Sequence, residues 1–284
     1  MDNTIIKREE VGDYRITIRN DYYANCPIKD WDMLGCFLYE YDNSHRLSDY
    51  CNWEEVWGRH SDSNHSMEAS LRILIEENCD FDLLVKYIKQ GKKDGVRLRY
   101  EPSEHMWKLE VYEYWYNSKN WDLVEDIEPV ELRNKHWNVF YNLLEYYGQR
   151  SLLEILRECG KDIYVTTWGT TGYSQGDHVS GIAFVTKERY DKFCGRKDIP
   201  WTEAAQACID EEVKCIGMWM WGDVIGYELE KKVRFKKIYE DPEREDEDDY
   251  EWEDVFSCWG YYMTSDELIE EVISEHSLKD PDAA

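Results

Sequence analysis

The chain has 284 residues, 42% of them hydrophobic, enough to bury the core of one large domain or two modest ones. It has no run of about 18 apolar residues, which excludes a membrane-spanning helix, and residues 1–10 are charged and lack the apolar stretch of a secretory signal, so a cytoplasmic location is expected. Thirty-four Lys and Arg stand against 61 Asp and Glu, a formal net charge of −27; such a field repels phosphate backbones, so direct binding of DNA or RNA is not expected, while it either attracts basic protein surfaces or simply keeps the chain soluble.

Residues 13–20 alternate polar and apolar and predict a strand. Residues 20–32 read as a loop around Pro27, and residues 34–41 as a second strand. Residues 42–66, rich in Ser, Asn, Asp and His, predict an irregular excursion carrying Trp53 and Trp57. Leu71, Leu74 and Ile75 place a helix over residues 67–78. A second is expected over residues 81–90, stopped at Gly91. Alternation in residues 95–100 and 107–116 predicts a hairpin turning at Glu101-Pro102-Ser103-Glu104, with a further strand near residues 121–125. Helices are expected over residues 130–147 and 151–159, the second opened by a capping box of Ser151 and Glu154.

From residue 161 the pattern becomes strand (162–168), Gly-rich loop (169–176), strand (179–186), short helix (187–193), longer helix (201–215) and interrupted strand (218–233). Residues 240–254 hold eleven acids opposed only by Arg244, so they carry −10 of the −27 and predict a solvated loop. A strand over residues 255–261 follows, then a helix to about His276 opened by a capping box of Thr264 and Glu267. This order predicts an α+β fold with a mixed or antiparallel sheet core and flanking helices over residues 1–46 and 151–284, carrying a large helical and hairpin insertion over residues 47–150.

No segment carries a reaction signature. Gly169-Thr-Thr-Gly172 and Gly176 lack the Lys-Ser/Thr of a phosphate-cradling loop. Cys51, His60 and His65 share a polar segment without a fourth zinc ligand, and the acidic run lacks EF-hand spacing. His178, beside Asp177 and the Gly-rich loop, belongs to no nucleophile motif. Nine Cys without a C-x-x-C pair read as reduced thiols. No catalytic residue, cofactor or metal is assigned.

The informative features are 13 Trp and 22 Tyr, the side chains that dominate binding hot spots, beside the acidic run. Candidate partner contacts are Trp53, Trp57, Trp115, Trp121 and Trp252, with Glu245, Asp246, Glu247, Asp248 and Asp249. Two basic segments, residues 86–99 and 231–237, stand apart from them. The second directly precedes the acidic run and complements it, within one molecule or between two, so a homo-oligomer is expected.

Four segments, in order, resemble a widespread group of phage proteins. Asp30-Trp31-Asp32-Met33-Leu34-Gly35 is similar to its D-W-D-x-L-G opening, and Val179-Ser-Gly-Ile-Ala-Phe-Val-Thr-Lys-Glu188 to its S-G-x-x-G-F strand. Gly222-Asp-Val-Ile-Gly-Tyr227 resembles its G-D-V-Y-G-Y segment, and Ser257-Cys-Trp-Gly-Tyr-Tyr262 its S-C-W-G-F-Y ending, with Phe256 where the pattern has an acid. In size and character the chain is similar to one branch of large phage proteins, the Gabija anti-defence inhibitors. That resemblance implies a non-catalytic protein of the host cell cytoplasm that binds the Gabija-type nuclease–helicase complex and blocks DNA cutting. A nucleotide-degrading or nucleotide-modifying enzyme, and a virion or scaffold protein, are the competing readings.

Overall fold

The computed structural model describes residues 4–40, 50–57, 66–90, 96–115, 118–135, 144–168, 178–195, 197–238 and 247–278. In chain order the strands are β1 (Ile5–Val11), β2 (Tyr14–Asn20), β3 (Cys36–Tyr39), β4 (Val96–Glu101), β5 (Met106–Trp115), β6 (Ser118–Ile127), β7 (Ile163–Thr167), β8 (Gly181–Thr186), β9 (Ile225–Lys237) and β10 (Glu247–Tyr261). The helices are α1 (Pro27–Asp30), α2 (Trp53–Trp57), α3 (Met67–Asn78), α4 (Phe81–Lys89), α5 (Pro129–Arg133), α6 (Gln149–Cys159), α7 (Lys187–Phe193), α8 (Trp201–Trp221) and α9 (Ser265–Glu275). Among the described residues the strands form three antiparallel sheets, the α+β class the sequence predicts.

The chain folds as two compact units, Met1–Asp30 with Lys214–Ala284, and Trp31–Val213. The first holds a four-stranded sheet in the order β1-β2-β9-β10. Its core is one face of that sheet against α9: Ile16 and Ile18 of β2, Tyr227 and Leu229 of β9, and Leu268, Val272 and Ile273 of the helix. The capping box forms as predicted, Thr264 Oγ1 accepting from Glu267 N–H and Glu267 accepting from Thr264 N–H.

The second unit holds two three-stranded sheets, β3-β8-β7 and β4-β5-β6. The apolar stripes of α3 (Leu71, Leu74, Ile75) and α6 (Leu152, Ile155, Leu156) join Leu38 of β3, Phe184 of β8 and Leu98 of β4 in one hydrophobic cluster. The segment expected as an insertion, residues 47–150, therefore shares its core with β3 and β8. The two units divide at 30/31 and 213/214, not at 47 and 150.

Local differences have local causes. β1 lies in a segment whose charges hid its strand character; it is an edge strand, paired with β2 on one side only. α6 begins at Gln149 with Gly148 as its cap, so Ser151 and Glu154 lie inside the helix. α8 runs to Trp221, past the expected end at 215. No Pro interrupts it, and it stops where Gly222 takes φ +72°. Residues 247–254 are not a loop but the first half of β10, because β9 supplies a hydrogen-bonding neighbour that composition does not reveal. Of the helix expected over residues 130–147, α5 is seen at the start; residues 136–143 lie outside the described ones, as do the Gly-rich loop, His60, His65, Glu245 and Asp246. No helix among the described residues is long and apolar enough to cross a membrane.

Candidate functional site

The β9–β10 ribbon brings charged and exposed aromatic side chains of the first unit together. β2 pairs with β9 only from Asn20↔Ile225 to Tyr14↔Lys231, with one more bond from Lys232 N–H to Asp13 C=O. Beyond that point β9 and β10 continue as a two-stranded ribbon. Register then sets base against acid: Lys237 is opposite Glu247, Lys236 opposite Asp248, and Lys231 opposite Glu253. The basic segment 231–237 is thus the cross-strand neighbour of the acidic one within a single chain.

Strand alternation sorts this ribbon by face. Lys232, Arg234 and Lys236 share a face with their partners Trp252, Tyr250 and Asp248. Glu247, Asp249, Glu251 and Glu253 share the other face with Lys237, Phe235, Val233 and Lys231. On that face Lys237 and Asp249 form an ion pair at 3.5 Å. At the root of the first face Trp252 is covered by the Arg15 guanidinium at 4.5 Å, while Arg15 is held by Glu230. Lys232 stands 3.8 Å from the centre of the Tyr250 ring. Tyr250, Val255, Phe256 and Trp259 along β10 remain 37–50% exposed. Charge and aromatic surface coincide on this strand.

The remaining candidate residues fall elsewhere. Trp57 is a core residue, 7% exposed, its indole N–H donating to Ser70 Oγ at 2.9 Å; the irregular segment expected around it folds into α2 and turns the ring inward. Trp53 packs against the same cluster and is half-buried. Trp121 is half-buried under the Arg97 guanidinium at 4.1 Å, edge-on to Tyr112. Trp115 lies in β5, opposite Ser118 in the backbone register. Three cations of the first basic segment are engaged within the second unit: Lys89 sits over Trp107, Arg97 pairs with Glu110, and Arg99 with Glu101 and Glu110. All of these residues belong to the second unit. Exposed Val255, Phe256 and Trp259 were not singled out by sequence, because a strand exposed on both faces carries no period to flag them.

Met33–Gly35, Gly226 and Trp259 make close packing contacts. The Leu34 and Gly35 amides donate to Glu212 of α8 at 2.6 and 2.9 Å, and Arg189 of α7 donates to the Leu34 and Met33 carbonyls. A Cβ on Gly35 would meet the Phe37 ring at 2.9 Å and Glu212 Oε2 at 3.0 Å. Gly226 lies flat against the Trp259 indole, across β9 and β10.

A pocket of about 250 Å³ in the second unit is lined by Cys36, Glu55, Glu77, Arg189, Lys192 and Phe193 among others. Two of its groups are committed or muted: Arg189 is tied to backbone carbonyls, and burial pushes the Cys36 thiol up to about 12. His178 is half-buried, and the loop before it lies outside the described residues. Among the described residues no group of three or more His, Cys, Asp or Glu is arranged to hold a metal ion. Comparison with known protein families, with curated proteins and with solved structures finds no match to this chain.

Proposed function

We propose that this chain is a capture protein that binds a basic macromolecular surface stoichiometrically, with no catalytic step. In its specific form the partner is the DNA-contacting face of a Gabija-type nuclease–helicase complex, and occupation of that face blocks DNA cutting in the host cytoplasm. The observation that carries this reading is β10, fifteen residues long, whose acids and exposed Tyr250, Val255, Phe256 and Trp259 lie along one edge. Aromatic rings provide burial on contact, and the −27 net charge steers a basic partner toward it. The sequence resemblance supplies the identity of the partner, and the charge supplies the sign of its surface.

The test is size-exclusion chromatography of the chain with a purified Gabija-type complex, alongside a DNA-cleavage assay. The reading expects co-elution and inhibition that saturates at a fixed stoichiometry. It falls if the two elute separately, or if the chain turns over a nucleotide at a rate that accounts for the inhibition.

A further inference from the structure

We propose that β10 takes its partner by strand addition: an extended segment bearing Lys or Arg at alternate positions pairs along the outer edge of Glu247–Asp254. This deepens the capture reading and rests on it. β10 ends the sheet order, and among the described residues no backbone hydrogen bond reaches it from the side away from β9. Such an edge offers a ladder of main-chain donors and acceptors to an incoming strand.

The pairing with β9 runs without interruption from Glu247↔Lys237 to Asp254↔Glu230, and the first irregularity comes between Asp254 and Phe256. The regular edge is thus eight residues, about 27 Å at roughly 3.4 Å per residue. Bulges at Val255 and before Tyr261 bend the strand and limit the ladder to this stretch.

Within it, every second residue on one face is an acid: Glu247, Asp249, Glu251 and Glu253. Directly opposed side chains of paired strands lie about 5 Å apart, so a cation at every second position of the incoming strand meets each acid in turn. β9 offers only two cations to this face, Lys231 and Lys237. Glu251 and Glu253 are exposed and form no ion pair among the described residues.

The same acids select the occupant. A second copy would bring like charges opposite one another, and an apolar strand would leave them uncompensated beside it. Phosphate backbones meet the same repulsion. Main-chain bonds then provide affinity, and the acid row sets register and direction.

The experiment uses the full chain and three synthetic ten-residue peptides. One alternates Lys and Thr; one has the same composition with its five Lys in a block; one is the alternating peptide with N-methyl groups on alternate amides. Binding is read by anisotropy of a labelled peptide and by amide exchange of residues 247–254. The alternating peptide should bind and slow exchange along β10, while the blocked and N-methylated peptides bind at least tenfold more weakly. E251K/E253K should weaken the alternating peptide tenfold or more with an unchanged thermal melt. Equal binding of the N-methylated peptide, or protection appearing elsewhere than β10, overturns strand addition. A Gabija-type complex that co-elutes equally with wild type and E251K/E253K also overturns it while leaving capture standing. Failure of the wild-type chain to form any complex overturns the capture reading itself, whatever the peptides do.

Discussion

Glu212 and Gly35 show how single residues hold the second unit together. Two backbone amides donate to one carboxylate, and the approach leaves no room for a Cβ at Gly35. Glu212→Ala strands those amides and should cost about 2–3 kcal/mol. Gly35→Ala forces the Phe37 ring or the carboxylate aside and should cost about 1–3 kcal/mol. Urea melts measure both. Burial decides the aromatic and apolar positions in the same way. Trp57→Ala should cost about 3–5 kcal/mol, as expected of a core ring. Val255→Ser, at a half-exposed position, should stay within about 0.5 kcal/mol.

The thiols offer a second check at this scale. Burial pushes Cys36 up to about 12 and Cys159 to about 11, and Cys194 is exposed. A disulfide-exchange reagent should therefore modify Cys194 in the native chain and reach Cys36 and Cys159 only in denaturant, as peptide mass mapping will show.

The acid limb of stability follows from two caps. The Lys161 ammonium and the Leu83 amide hold the Asp80 carboxyl down at about 2 from an ordinary 3.8, and the Thr264 backbone and hydroxyl hold Glu267 below its usual range. Both carboxylates are favoured more in the folded chain than in the unfolded one. Their stabilisation is complete above pH about 4.5 and is lost as pH falls toward 2. Glu212 works in the opposite direction, because burial raises its carboxyl and its contribution fades as pH rises through the folded value. Thermal melts between pH 2 and 6 should fall on the acid side, and Asp80→Asn should flatten that fall.

Among the elements, those that carry their own boundary signals were legible in the sequence. α3, α7 and α9 and the β4–β5 hairpin lie where periodicity, Thr264/Glu267 and Glu101-Pro102-Ser103-Glu104 place them. β1 and the first half of β10 were not legible. Each is an edge strand largely open to solvent, so neither shows apolar alternation, and each exists because a neighbour pairs with it. A two-stranded ribbon is marginal alone, so the stacking of Arg15 and Lys232 on Trp252 anchors the root of this one. Trp252→Ala should accelerate amide exchange in residues 233–237 and 247–251 more than in β2, a difference mass-detected exchange resolves. The acids also guard the edge. Replacing Glu251 and Glu253 with Thr should raise concentration-dependent self-association above wild type in sedimentation velocity, because β-branched residues suit an open edge and charges do not.

For the whole molecule, charge governs encounter. Association of a −27 chain with a basic partner should slow by tenfold or more between low salt and about 0.5 M salt, with dissociation changing less, as surface plasmon resonance can measure. A rate indifferent to salt would remove steering from the account.

The amino-acid order by itself determined the net charge, the α+β class and the elements bounded by caps and turn residues, because those depend on composition and on neighbours within a few positions. Tertiary structure alone decided which indoles are buried, where the two units divide and that the basic segment lies beside the acidic one. Each of those depends on which strand hydrogen-bonds to which and which apolar faces meet. Such pairings join residues as far apart as Arg15 and Glu230, and no local pattern in the chain encodes them.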